Sequence, residues 1–289
     1  MFRSALIALA ALAAFAPVGA LAAEEAHHPE PYAFSFDGPF GRYDRASLQR
    51  GYAVYAQVCS ACHGLGHLSY RNLGEGPDGP LVAYRERNAE TGAYDITLTP
   101  HDAHHATVVD VNDNPFVRAV AAGVMIADID RETGMETERP GRPSDRFREP
   151  FANEAAARAA NGGAMPPDLS VIVHARHGGA EYVRSLLLGY VDPPEGVEIV
   201  EGKYYNKYFP GGWIAMAPPI VAEGQVLYSD DTVASVDQMA TDVAHFLQWA
   251  GDPKMQHRKS MGLGVIAFLL LLTVLTYLSY KQVWRDQKH

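Results

Sequence analysis

Cys59-Ser60-Ala61-Cys62-His63 is the stretch that decides how this chain is understood. The spacing C-x-x-C-H is the attachment site of a c-type haem. Each thiol can add to one vinyl group of the porphyrin. The adjoining imidazole is then held beneath the ring, where it can ligate iron. These are the only 2 cysteines among 289 residues, so no disulfide competes for them. The pattern predicts one covalently attached haem c per chain, with His63 as the first iron ligand. A chain so equipped carries electrons unless another part of it supplies a substrate site. Three other uses of the motif are weaker. A haem peroxidase would normally bring a second C-x-x-C-H, and there is none. A thiol–disulfide oxidoreductase would set C-x-x-C in a βαβ unit without a histidine directly after it. Zinc on Cys59, Cys62 and nearby histidines would make a structural or sensing protein.

The residues just before the motif build the element that presents it. Leu48, Tyr52, Tyr55 and Cys59 recur at helical spacing, which predicts a helix from Ser47 to Cys59. Asn114-Pro115 has the form of an N-cap followed by a first helical position, and the helix should run towards Ile126. Asn153 to Asn161 is alanine-rich and stopped by Gly162-Gly163. Ala180 to Leu188 makes a further helix, ended by Gly189. Ser235-x-x-Gln238 fits a capping box, and Val236, Met239, Val243, Phe246 and Leu247 share the following helical face. Strand signals are weak, with Val197 to Val200 the best candidate. Long Pro/Gly-rich stretches lie between these helices. The expected fold is therefore mainly α, a haem domain with long loop insertions.

The two ends carry opposite signals. Met1-Phe2-Arg3, an apolar run to Phe15 and Ala20-Leu21-Ala22-Ala23 describe a secretory signal peptide over residues 1–23. Export suits a haem that is attached outside the bacterial cytoplasm. From Met261 to Tyr280 no residue is charged, enough helix at ~1.5 Å per residue to cross a hydrocarbon layer of roughly 30 Å. The basic flanks are nearly balanced, so the signal peptide sets the orientation. The expected organisation is a periplasmic haem domain over 24–253, a basic linker over 254–260, a transmembrane helix over 261–280 and a cytoplasmic tail over 281–289. The protein would then be a single-pass protein of the bacterial inner membrane, in contact with lipid.

Formal net charge is −10, and all but one of the acidic residues precede Lys254. An acidic exported surface repels nucleic acid and attracts basic proteins, raising encounter rates at low salt. Solubility alone would give the same charge.

The sixth iron position decides between electron transfer and chemistry, because a methionine there raises the potential and closes the iron. Met239 falls on an amphipathic face where packing explains it. Met165 in Ala-Met-Pro-Pro-Asp and Met216 in Ala-Met-Ala-Pro-Pro both lie beside prolines that stiffen a loop. Met216 is favoured because Tyr204, Tyr205, Tyr208, Phe209 and Trp213 could wall off one haem face. A histidine from His101, His104 or His105 is the rival ligand. Arg158 could donate to a haem propionate, although its spacing alone reads as a surface arginine.

Taken together, several segments carry a resemblance. They are the haem motif, Ala157-Arg158-Ala159-Ala160-Asn161-Gly162-Gly163-Ala164-Met165-Pro166-Pro167-Asp168, Ala175-Arg176-His177-Gly178-Gly179, Tyr205-Asn206-Lys207-Tyr208-Phe209-Pro210-Gly211 and Met216-Ala217-Pro218-Pro219. In this order, and with a terminal anchor, they resemble the cytochrome c1 family, the haem subunit of the respiratory or photosynthetic bc1 complex (ubiquinol–cytochrome c oxidoreductase). The resemblance runs from about Phe34 to the C-terminal tail and looks alphaproteobacterial. It implies a class I c-type cytochrome-like haem domain with His63 and Met216 as axial ligands, and it assigns Arg158 to a propionate. It implies electron flow from a Rieske iron–sulfur protein to this haem and on to a basic or membrane-tethered cytochrome c. Cytochrome b would pack beside the anchor, in a dimeric complex. The chain alone would carry electron transfer only. Another membrane-anchored monohaem c-type cytochrome is the alternative. Val171 stands where mitochondrial relatives have a tyrosine, cysteines for an extra disulfide are absent, and residues 89–138 match least.

Overall fold

In a computed structural model the described residues are 27–287, apart from 77, 89 and 101–103. The predicted signal peptide, His101 and the last two residues of the tail lie outside them. Six α-helices are present among the described residues: α1 (Arg45–Gln57), α2 (Pro115–Ala122), α3 (Glu154–Ala160), α4 (Gly179–Leu188), α5 (Val236–Gly251) and α6 (Met255–Trp284).

Helices α1 and α5 form the centre, and α4 packs on the other side of α5. Asp44 caps α1 by accepting from Ala46 N, and Leu48, Val54 and Tyr55 turn inward. The two helices meet at Gly51. A Cβ there would lie 2.0 Å from the Asp242 carbonyl oxygen, so only glycine permits the approach. Beside it, Arg50 forms a two-pronged bond to Asp242, with Nε–Oδ2 at 2.8 Å and Nη2–Oδ1 at 3.1 Å. Asp242 is fully buried and also accepts from Tyr228 and Gln238. A buried carboxylate costs desolvation unless such donors surround it. This explains why the expected capping box is only half made. Ser235 accepts from Gln238 N, while the Gln238 side-chain amide turns to Asp242 instead.

The helices begin and end close to their sequence signals, with one difference. Helix α2 starts with Asn114 accepting from Phe116 N and Val117 N, but it stops at Ala122 rather than continuing to Ile126. The chain then turns into β4 (Met125–Ile129), paired antiparallel with β5 (Glu136–Pro140). A second small sheet joins β1 (Tyr84–Arg87) to β2 (Tyr94–Thr97) and β3 (Thr107–Val108). The last pair is β6 (Tyr204–Tyr205) with β7 (Trp213–Ile214). The only expected strand, Val197 to Val200, is irregular. Sequences such as Tyr84-Arg85-Glu86-Arg87 lack an alternating apolar face, so backbone pairing and ion pairs hold them. In the β4–β5 hairpin Arg139 bridges Asp128 and Asp145.

Helix α6 is continuous through the basic segment and the apolar run, with mean hydropathy 2.4 in its most apolar window. It is long and apolar enough to cross a membrane. Thr273 and Thr276 donate their hydroxyls to the carbonyls of Leu269 and Leu272, leaving no polar group facing outward unpaired on those turns.

His245 is buried on α5 among Phe34, Phe36 and Tyr43, and its Nε2 accepts from Asp44 N at 3.2 Å. Burial pushes its pKa down to about 4, so the folded protein keeps it neutral. An unfolded chain binds this proton near pH 6.5. Stability is therefore complete above that value and falls as pH drops from there towards 4, by roughly 3 kcal/mol at most. Denaturant titrations across this range should show the loss, and His245→Gln should flatten the slope by about one proton. At the helix crossing, Gly51→Val should destabilise by about 2–3 kcal/mol or more, measured by thermal unfolding.

Candidate haem-attachment site

Where α1 ends, the chain tightens into a single 3-10 turn over Cys59–Ala61. The Cys59 carbonyl accepts from Cys62 N at 3.1 Å and His63 N at 2.9 Å. This turn places two thiols one turn apart, with the histidine directly behind them. Both cysteines are free; Cys59 is half-buried and Cys62 exposed. Burial, reinforced by the neighbouring Cys62, pushes the Cys59 thiol up to about 12. A redox thiol needs the opposite shift. Nor do three His, Cys, Asp or Glu side chains converge into a metal-holding group among the described residues, so the zinc alternative lacks ligands.

The imidazole is fixed from a distant part of the sequence. His63 Nδ1 lies 2.7 Å from the Pro167 carbonyl oxygen, which has no hydrogen to give. Nδ1 must therefore carry the proton, and Nε2 is left as a bare lone pair. A metal-ligating histidine needs this tautomer, held by this kind of outer bond. Burial keeps the ring below its ordinary pKa, which favours the neutral form. Tyr55 of α1 donates its hydroxyl to the His63 carbonyl at 3.1 Å, tying helix and loop together.

The following residues are stitched to the same 164–170 segment. Leu169 N donates to the Gly64 carbonyl at 2.9 Å, and Gly66 N to Asp168 Oδ2 at 2.7 Å. Asp168 Oδ1 also takes Ser170 N at 2.7 Å. The Glu149 carboxylate lies where a side chain on Gly64 would project. Burial and the charge of Asp168 raise the Glu149 pKa.

Of the five residues singled out in the sequence, the structure brings Cys59, Cys62 and His63 into one turn. Met216 is half-buried just after β7, and its carbonyl accepts from Tyr190 Oη at 3.1 Å. Beside it Tyr205 and Trp213 pack edge to face, with centroids 5.4 Å apart. Arg158 projects from α3 and is half exposed. It is engaged with Glu154 Oε1 at 2.7 Å and with the Gly163 carbonyl at 3.1 Å. No hydrogen bond or ring contact joins Met216 or Arg158 to the His63 loop among the described residues. Met165 is 45% exposed, and Met239 is fully buried in the core. Sequence reasoning missed Pro167, Asp168, Tyr55 and Tyr190. The Pro166-Pro167 pair was the available signal, since a stiff turn is a good place to aim a carbonyl.

The donor set suits a c-type haem: two unbridged thiols in one turn, and a histidine presented in the ligating tautomer. These features place the protein among the c-type cytochromes. Residues 34–287 match the Cytochrome C1 family, and the chain belongs to it. It is 43% identical to the mitochondrial protein "Cytochrome c1 1, heme protein" of Arabidopsis thaliana over 90% of this chain and 74% of that one. It is 39% identical to "Cytochrome c1" of Rhodospirillum rubrum, with 89% and 87% covered. "Cytochrome b/c1" of Bradyrhizobium diazoefficiens is 40% identical over 98% of this chain, which spans only 39% of that longer protein.

Asp168→Ala removes acceptors from two backbone N–H groups at once. It should cost about 1–3 kcal/mol, read as a lower midpoint of thermal unfolding in the purified membrane protein.

Proposed function

We propose that this chain is the haem-bearing electron-transfer subunit of a bacterial cytochrome bc1 complex, built on a class I c-type cytochrome-like domain. The observation that carries the proposal is the 2.7 Å bond from His63 Nδ1 to the Pro167 carbonyl, inside a C-x-x-C-H turn with both thiols free. The match over residues 34–287 extends this to the whole folded domain and the anchor.

When bound, haem c supplies a one-electron iron couple. Cys59 and Cys62 would hold it as thioethers, and His63 Nε2 would be the first iron ligand. Met216 would supply the second and so close the iron to other ligands. The edge-to-face Tyr205–Trp213 pair would exclude water on that side. Arg158 shares its guanidinium between Glu154 and a propionate. No proton transfer or nucleophile is required of this chain.

The electron arrives from a Rieske iron–sulfur protein and leaves to a cytochrome c. The acidic folded domain attracts a basic acceptor. Residues 1–23 act as a signal peptide, residues 24–253 lie in the periplasm and α6 crosses the inner membrane. The tail is cytoplasmic, and cytochrome b packs beside α6 in a dimeric complex. As part of this assembly the chain serves a quinol–cytochrome c reductase. The name borne by the Bradyrhizobium relative, which joins b and c1, supports the pairing with cytochrome b.

Purification of the detergent-solubilised assembly should yield this chain with a b-type and an iron–sulfur subunit, and quinol-dependent reduction of added cytochrome c. Met216→Leu should lower the midpoint potential and open the ferrous iron to carbon monoxide. An unchanged potential and a closed iron would remove Met216 from the ligand set.

A further inference from the structure

A cavity of about 1360 Å³ opens where the folded domain meets the first turns of α6. Its walls come from the loop around Arg42, from Arg71, Glu75 and Asp78, and from the start of α6 as far as Leu263. Lys259 fixes the first wall to the helix by donating its Nζ to the carbonyls of Phe36 and Gly38, both at 2.7 Å. The cavity is therefore a built feature of the junction.

Its charges are sorted. Each carboxylate has a donor: Asp78 takes the Gln256 amide, Asp252 takes Arg258, and Glu75 accepts from Asn72 at 2.7 Å. The cations Arg42, Arg71 and Lys254 are exposed on the walls and make no direct ion pair among the described residues, although Arg42 lies within the field of the Asp78 carboxylate. The cations on the walls without a direct ion pair therefore favour an anion as ligand.

The lower lip is apolar. Phe40 is 76% exposed and Leu263 is 43% exposed, and both line the cavity. Leu263 already belongs to the uncharged run that begins at Met261. One edge is thus cationic, and the other continues into the surface that would face hydrocarbon. A soluble anion has no use for the second edge; an amphiphile uses both.

We infer that this cavity seats an anionic phospholipid, its phosphate among Arg42, Arg71 and Lys254 and its acyl chains descending past Phe40 and Leu263. The inference rests on the proposed membrane-spanning role of α6. A lipid here would cement the fixed loop to the anchor and steady the haem domain at the membrane surface.

Native mass spectrometry of the intact solubilised complex tests this. The wild type should retain a phosphatidylglycerol-class lipid that Arg42→Gln/Arg71→Gln loses, while haem absorbance and quinol–cytochrome c activity report intact folding. After delipidation, added phosphatidylglycerol should bind the double variant more weakly, by roughly fivefold per cation removed. Phe40→Ser should weaken phosphatidylglycerol but leave inorganic phosphate unchanged. Equal lipid retention in wild type and double variant would overturn the inference. So would inorganic phosphate binding as tightly as phosphatidylglycerol, or photocrosslinking from position 40 to another protein subunit. Recovery of the wild-type chain in the soluble fraction would overturn both this inference and the membrane role of α6.

Discussion

A single hydrogen bond, from His63 Nδ1 to the Pro167 carbonyl, settles what the rest of the fold has to accomplish. Histidine has two ring nitrogens and only one can meet iron. A fixed carbonyl behind the ring chooses the tautomer and the rotation together. The carbonyl must come from a stiff backbone, and Pro166-Pro167 supplies one. The neighbouring Gly64–Leu169 and Gly66–Asp168 bonds hold the whole segment against the loop. The histidine is placed by a lattice of backbone and side-chain hydrogen bonds rather than by one side chain.

That lattice needs a rigid base, which is the crossing of α1 and α5. Gly51 lets the helices touch at backbone distance, and Arg50–Asp242 locks their rotation. A buried ion pair of this sort adds little net stability. Its value lies in orientation: removing either partner would strand a charge in the core. Since α1 runs directly into the Cys59 turn, any rotation of α1 would move both thiols.

The helical scaffold was legible in the sequence because its signals are local. Ser235 and Asn114 cap their helices where the residue types predicted, and Asn153 caps the alanine-rich helix that starts beside it. The apolar stripe on α5 is the buried one. The three small sheets were not legible. Their strands are short, and either charged or only two residues long, and pairing partners such as Tyr204 and Ile214 are chosen by the turn between them rather than by periodicity. At the site, the covalent motif announced itself. The groups that position it did not, because Pro166-Pro167 marks a stiff turn but not which distant side chain its carbonyl will meet. Arg158 shows the converse. Its segment has a strong family signature, yet the side chain pairs with Glu154, a bond set by helical spacing alone.

The proposed second ligand poses a harder positional problem, because Met216 lies far along the chain from the Cys59 turn. The fold closes that distance in short steps. Tyr190 holds the Met216 carbonyl. Downstream, Gln225 donates to the Pro219 carbonyl at 2.7 Å and accepts from Val221 N at 2.9 Å, bracing the loop after the two prolines. Leu227 N then donates to Gln57 on the last turn of α1, and Tyr228 reaches Asp242. Arg50 meets Asp230 of the same loop at 2.8 Å. The segment bearing the thioether is thereby tied to the helix bearing the cysteines, within two residues of Cys59. A displacement of α1 would carry the 227–230 segment with it. If Met216 is the second ligand, these ties would help keep thioether and imidazole in step through motions of the surrounding loops.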